Sequence, residues 1–374
     1  MNSAAAKSGL SPKLSEAVKA ALQPYVDRGV LAGAVTLVAD KQSLLSLDTV
    51  GFADIAARKP MSPDAVFWVA SQTKPITATA LMMLVDEGKI RLDDPVAEYL
   101  PEFKDLWLAA EQDDQHILLK RPSQTMIVRH TLCHISGMPF SSPMEVPTLD
   151  QLPLRDAARS YAITPLRSEP GTKYAYSNAG TNTAGCIIET VSGMPYAKFL
   201  DERLFGPLGM KDTTFWPSAA QLSRLAKSYK PDSAKTALEE ITIGQLFHPL
   251  SDRRRQPMPA GGLFSTAEDI MRFCQMTLSG GTLNGRRYLS ERAVAEMTAR
   301  QTPASLQESC GLGWFTGGGV FGHGGAYSTN MSIDSNRGLI TVFLVQHNGF
   351  PADGDKAYAA FKAAAESFAD GAAR

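Results

Sequence analysis

Ala34-Val35-Thr36-Leu37-Val38-Ala39 and Leu44-Leu45-Ser46-Leu47-Asp48-Thr49-Val50, separated by Asp40-Lys41-Gln42-Ser43, decide the fold class. Both runs are short and apolar and the connection is polar, so they read as an antiparallel hairpin. Before them, Ser11-Pro12 opens a helix with Leu14, Val18, Leu22 and Tyr25 near one face, and Pro24 is expected to bend its end. The strand pattern returns only at the far end of the chain. Residues 329–334 and 339–346 flank the turn Ser335-Asn336-Arg337-Gly338, and a closing helix over about 355–369 carries Tyr358, Phe361, Ala365 and Phe368 on one face. Two chain ends therefore supply one sheet.

The middle is mostly helical. Gly88 follows the apolar run 76–85, Asp94-Pro95 starts another helix, and Gly193, Gly206 and Gly209 punctuate the stretch after Asn178. Ser265 and Glu268 have capping-box spacing at the head of a helix that ends near Gly280. The expected fold is α+β: an antiparallel sheet flanked by terminal helices in a discontinuous domain of residues 1–70 plus 300–374, with a mostly helical domain of 71–299 inserted. The cleft between the two is the expected place for a site. The loops of 104–122 are expected to shape its pocket.

Ser71-Gln72-Thr73-Lys74 is the only Ser-x-x-Lys in the chain. Residues three apart on a helix share a face, so hydroxyl and amine can meet. Pro75 is tolerated only in a first turn, which places the helix start close to Ser71. At that end, unpaired N–H groups and the dipole favour the negative charge of an alkoxide or an oxyanion. A lysine of ordinary pKa, about 10.4, is a cation and no base, so burial or cationic neighbours must lower it. Tyr176-Ser177-Asn178 is the only Tyr-x-Asn. A tyrosine beside a lysine cation can be held partly as phenolate, a second candidate base, and the Asn178 amide can hold the lysine or a substrate carbonyl. His323-Gly324-Gly325-Ala326 precedes a strand, and its two glycines let backbone approach a ligand closely.

These three elements, in this order, resemble the motif set of the serine β-lactamase and penicillin-binding superfamily, in which S-x-x-K comes first and K-T-G last. The Tyr-x-Asn resembles the class C branch, and the whole is similar to family VIII carboxylesterases and related acyltransferases. The stretches Thr131-Leu132-Cys133-His134-Ile135-Ser136-Gly137-Met138, Leu204-Phe205-Gly206-Pro207-Leu208-Gly209-Met210 and Pro259-Ala260-Gly261-Gly262-Leu263-Phe264-Ser265-Thr266 carry the likeness over nearly the whole chain. The resemblance implies Ser71 as acylated nucleophile, Lys74 and Tyr176 as the proton-transfer pair and Asn178 as substrate contact. It further implies the backbone N–H groups of Ser71 and Ala326 as oxyanion hole, with His323, Gly324 and Gly325 also facing substrate. The chain departs where the superfamily has Lys-Thr-Gly. Here His323-Gly324-Gly325 lacks the cation and the hydroxyl that hold a carboxylate, and a neutral histidine replaces that cation only in part.

Composition limits the partners. The 37 Lys plus Arg against 38 Asp plus Glu give a net charge of -1, so no summed positive field draws the chain to nucleic acid or anionic lipid. No run approaches the roughly 20 apolar residues of a membrane-spanning helix, and the first ten residues lack a secretory h-region, so a cytoplasmic protein is expected. Cys133, Cys186, Cys274 and Cys310 form no C-x-x-C pair and read as reduced and buried; no H-E-x-x-H or G-x-S-x-G occurs. No metal or other cofactor is expected.

His134 beside Ser136 reads as structural, Gly317 to Gly322 as a flexible turn and Arg253-Arg254-Arg255 as a solvated loop. The expected function is hydrolysis of small-molecule esters of short acyl chains. A β-lactamase or D-amino-acid peptidase, an acyltransferase and a non-catalytic ligand-binding relative stand as alternatives.

Overall fold

The computed structural model describes residues 9–372. At its centre is a seven-stranded antiparallel sheet in the order Phe315–Gly317, Val320–Gly324, Asn330–Asp334, Leu339–Leu344, Gly33–Ala39, Leu44–Asp54 and Lys59–Pro60. The two chain ends join where Val35 stands opposite Leu344 and Ala39 opposite Ile340. Alternation along these strands divides the core as a pleated sheet must. Ala34, Val38, Leu339, Phe343 and Val345 face the terminal helices Pro12–Asp27 and Ala357–Ala372, meeting Leu14, Val18, Leu22, Phe361 and Ala365. Val35, Leu37, Ile340, Val342 and Leu344 belong to the main core on the other face.

Local chemistry sets the ends of these elements. Ser11 caps the first helix by accepting from the Leu14 N–H at 3.3 Å, with Pro12 at the first helical position. Pro24 lies in the last turn, and the helix continues past it to Asp27. The first hairpin closes as Asp40 Oδ1 accepts from the N–H groups of Gln42 and Ser43, both at 2.7 Å. Gly318 and Gly319, at φ 61° and 84°, form a two-residue turn that requires positive φ at both positions. The glycine run is thus a hairpin turn, which returns the chain along Val320–Gly324 and carries His323 to the site.

The expected cap at Ser265 is displaced by one residue. Ser265 belongs to a short strand, Phe264–Ser265, paired with Phe67–Trp68, and its Oγ lies 2.8 Å from Thr213 Oγ1. Thr266 is the cap instead, accepting from the Asp269 N–H at 3.4 Å. The helix it starts, Ala267–Leu278, packs on the main-core face of the sheet through Ile270, Phe273 and Cys274. Elsewhere in the middle of the chain, helices Thr73–Asp86 and Asn178–Ser192 pack against each other. No helix of the described residues is long and apolar enough to cross a membrane.

Candidate active site

Ser71 lies in a tight 3-10 turn, Ala70–Gln72, that leads directly into helix Thr73–Asp86. Ala70 is held at φ 47°, a left-handed conformation that costs a non-glycine residue energy and that recurs at functional turns. Lys74 and Pro75 follow in the first turn of the helix, and Lys74 is fully buried. Its Nζ lies 3.2 Å from Ser71 Oγ, 2.8 Å from Asn178 Oδ1 and 2.7 Å from the Ala260 carbonyl oxygen. No carboxylate is among these partners. Burial without a counter-charge holds the Lys74 amine well below the ordinary lysine range.

The second motif is delivered by a helix start. Ser177 caps helix Asn178–Ser192 by accepting from the Gly180 N–H at 3.1 Å, while its own hydroxyl donates to the Pro139 carbonyl at 2.7 Å. That fixes Asn178 at the first helical position, against Lys74, and leaves Tyr176 in the preceding extended segment. The Tyr176 ring centre is 4.6 Å from Lys74 Nζ, and the Ser71 side chain lies near enough to the phenol to act on its titration. Burial pushes the phenol up to about 12, with the neighbouring Ser71 side chain working against it. Burial thus disfavours charge on lysine and tyrosine alike, which works against the expected partial phenolate.

The third motif lines the same cavity, a cleft of about 360 Å³ walled by Trp68, Phe140, Leu149, Met258, Phe315 and the catalytic-type side chains Ser71, Tyr176 and Asn178. A Cβ on Gly325 would lie 2.1 Å from Thr329 Oγ1 and 2.6 Å from the Val69 carbonyl oxygen. Only glycine allows this strand to press against the turn before Ser71, and that contact brings Ala326 to the cavity wall beside Ser71. His323 is buried, and its Nδ1, 2.6 Å from the Gly324 carbonyl oxygen, must be the protonated nitrogen, because a carbonyl only accepts. Burial, and secondarily Lys74, lowers its pKa to about 3. The expected partial replacement of a lysine cation is corrected, since at neutral pH this histidine carries no charge.

All of Ser71, Lys74, Tyr176, Asn178, His323, Gly324, Gly325 and Ala326 thus meet at one place. The 104–122 segment does not: its hairpin of Leu108–Gln112 and Ile117–Lys120 is exposed beyond the buried Leu106 and Leu108, and none of the segment lines the cavity. The arginine run is not solvated throughout. Arg255 is buried, with Nε 2.6 Å from Asp150 Oδ2 and Nη1 donating to the Phe215 and Leu250 carbonyls. It ties the 246–256 loop to the Leu149 side of the cavity. His134 also has a place here, since its ring stacks on Tyr176 and its Nδ1 accepts from the Ser177 N–H at 3.2 Å. The four cysteines are free and buried. Among the described residues no three His, Cys, Asp or Glu side chains gather as a metal ion would need.

A family model described as Beta-lactamase matches residues 18–365. Protein Rv1367c of Mycobacterium tuberculosis strain H37Rv is 33% identical over 365 residues, covering 88% of this chain and 89% of its own. Esterase EstB of Burkholderia gladioli is 26% identical over 359 residues, covering 84% of this chain and 86% of the esterase. The solved structure of EstCE1, a hydrolase with promiscuous acyltransferase activity, superposes with a TM-score of 0.78 at 24% identity, over 94% of this chain and 98% of its own, a likeness of fold.

Proposed function

The chain belongs to the Beta-lactamase family, and from that premise we propose a serine hydrolase that cleaves neutral carboxylic esters of short acyl chains through an acyl-enzyme on Ser71. The observation that carries this reading is the buried, counter-ion-free Lys74 with its amine 3.2 Å from the Ser71 hydroxyl. Lys74 takes the Ser71 proton as the oxygen attacks the ester carbonyl. The N–H groups of Ser71 and Ala326 receive the oxyanion, and collapse expels the alkoxide, which takes up a proton from the Lys74–Tyr176 pair. Water then attacks the acyl-enzyme by the same proton path in reverse.

Ester specificity is supported by what the cavity lacks. Its wall is mostly apolar, and at the position where β-lactam enzymes present a cation it offers a buried neutral histidine. A drug carboxylate entering there leaves water without a charged partner, whereas a neutral ester needs none. The name of Esterase EstB points the same way. The test measures kcat/KM for p-nitrophenyl acetate through hexanoate and for nitrocefin on one preparation, with mass spectrometry of the Ser71 peptide after a fluorophosphonate probe. The reading expects label on Ser71 and ester turnover well above nitrocefin turnover; efficient nitrocefin turnover with negligible ester turnover would replace it with a lactamase.

A further inference from the structure

The Ala260 carbonyl that accepts from Lys74 is itself anchored through a file of buried polar groups. The Ala260 N–H donates to Asn182 Oδ1 at 3.0 Å, Asn182 Nδ2 donates to the Tyr161 hydroxyl at 2.9 Å, and that hydroxyl donates to Glu145 Oε1 at 2.6 Å. The other Glu145 oxygen accepts the Ser142 N–H at 2.7 Å. Ala260 and Tyr161 are 0% exposed, Asn182 2% and Glu145 6%. Four linked polar groups in a hydrophobic interior are costly unless every one is satisfied, and apolar side chains of similar shape would fill the same space.

The geometry at Lys74 says what the file accomplishes. A neutral amine has two N–H bonds and one lone pair. Asn178 Oδ1 and the Ala260 oxygen, at 2.8 and 2.7 Å, take the two N–H bonds, so the direction left over is the one toward Ser71 Oγ at 3.2 Å. We propose that Asn182, Tyr161 and Glu145 are positioning residues that hold the Ala260 carbonyl in place and so aim the Lys74 lone pair at the Ser71 proton. The inference rests on the reading of Lys74 as base. The titratable groups around Lys74 are Tyr176, His134 and His323, all neutral at the working pH; Glu145 is joined to it only through Tyr161, Asn182 and Ala260. The file therefore works by orientation and not by placing a charge on the amine.

A double-mutant cycle with Lys74 separates aiming from general support of the fold. Single-turnover acylation by p-nitrophenyl acetate is measured for Asn182→Ala and for Tyr161→Phe, each alone and combined with Lys74→Ala. Tyr161→Phe keeps the ring volume, so it reports even where Asn182→Ala fails to fold. Each single substitution is expected to lower acylation by about tenfold or more with KM changed less than about threefold, and to change the Lys74→Ala rate by less than about twofold. An equal fold-loss in both backgrounds would overturn the positioning role while leaving Lys74 as base. A Lys74→Ala protein that acylates like the wild type would take down both readings.

Discussion

The imidazole of His134 stacks on the phenol of Tyr176, ring centroids 4.4 Å apart and planes 29° from parallel. His134 stands at φ 62° and is held by the Ser177 N–H, one residue from the phenol it supports. Burial, with Lys74 adding to it, keeps the imidazole well below its usual titration range, so its contribution is shape and contact and not a proton. Asparagine tolerates left-handed backbone and can still accept from Ser177, but it has no ring. His134→Asn should fold and lose about three- to tenfold in kcat/KM for esters, the worth of one aromatic pair of about 0.5–1.5 kcal/mol. A stopped assay on p-nitrophenyl butyrate, alongside Tyr176→Phe, checks it; an unchanged rate would show that the stack does not hold the phenol.

Loss of the proton path should be severe and non-additive. Ser71→Ala should abolish acylation, and Lys74→Ala and Tyr176→Phe should each cost at least about a hundredfold in kcat. Because both act on the one Ser71 proton, the double substitution should cost little more than the worse single one. Fully multiplicative losses in Lys74→Ala/Tyr176→Phe would argue for two separate roles.

The pH profile follows from the same two groups. Lys74 works as a base only when neutral, and its folded pKa is depressed, so kcat/KM should rise with pH through a limb well below the ordinary lysine value of about 10.4. Tyr176, pushed up to about 12, stays protonated above that limb, so no alkaline fall is expected until near that pH. His323, near 3, titrates below the working range, and His323→Gln should leave the limb where it is. A limb that moves with His323 would reassign the base. Chelator should not change any of these rates.

Much of this arrangement was legible in residue order because it depends on neighbours in sequence. Apolar runs on either side of Asp40 to Ser43 and of Ser335 to Gly338 give hairpins, and spacings of three and two residues place Ser71 with Lys74 and Tyr176 with Asn178. The features that were not legible depend on chain segments far apart. Arg255 is a solvated loop residue by composition and a buried one in fact, since its partner Asp150 lies 105 residues away. The stack of His134 requires two loops to meet, and Ser265 lost its cap because Phe67 pairs with it. Protonation states were hidden too, because they depend on burial that no local spacing reveals.

The buried pair of Arg255 and Asp150 should matter for stability. Their side chains are 1% and 0% exposed, and Asp150 Oδ1 also accepts the Phe247 N–H at 2.9 Å. Removing one partner strands the other charge in the interior, which typically costs about 3–5 kcal/mol. Arg255→Ala should therefore lower the urea midpoint strongly, and ester turnover should fall with it as the Leu149 wall loosens. A midpoint within error of wild type would show that water reaches and solvates Asp150.

Gly324 and Gly325 are adjacent, yet substitutions at the two should have opposite outcomes. A Cβ on Gly325 would overlap Thr329 and the Val69 backbone at 2.1 and 2.6 Å, and backbone cannot step aside without moving the turn that carries Ser71. Gly325→Ala should destroy ester turnover or the fold. A Cβ on Gly324 meets nothing nearer than 3.6 Å, the Asn330 amide nitrogen and the Thr329 oxygen, which is ordinary contact. Gly324→Thr should fold, retain ester kcat/KM within about threefold, and return to the cavity edge the hydroxyl that Lys-Thr-Gly enzymes present. One neutral hydrogen bond is worth about 0.5–1.5 kcal/mol, so nitrocefin kcat/KM should gain about tenfold at most. A larger gain is not expected while position 323 holds a neutral histidine. His323→Lys should not supply it, because its ammonium would be buried beside the Lys74 amine with no counter-charge to hold it. Ester and nitrocefin assays on the wild type and the three variants, with circular dichroism for folding, decide the matter; a hundredfold nitrocefin gain from Gly324→Thr alone would mean that the missing hydroxyl, and not the missing cation, is what separates this site from a lactamase.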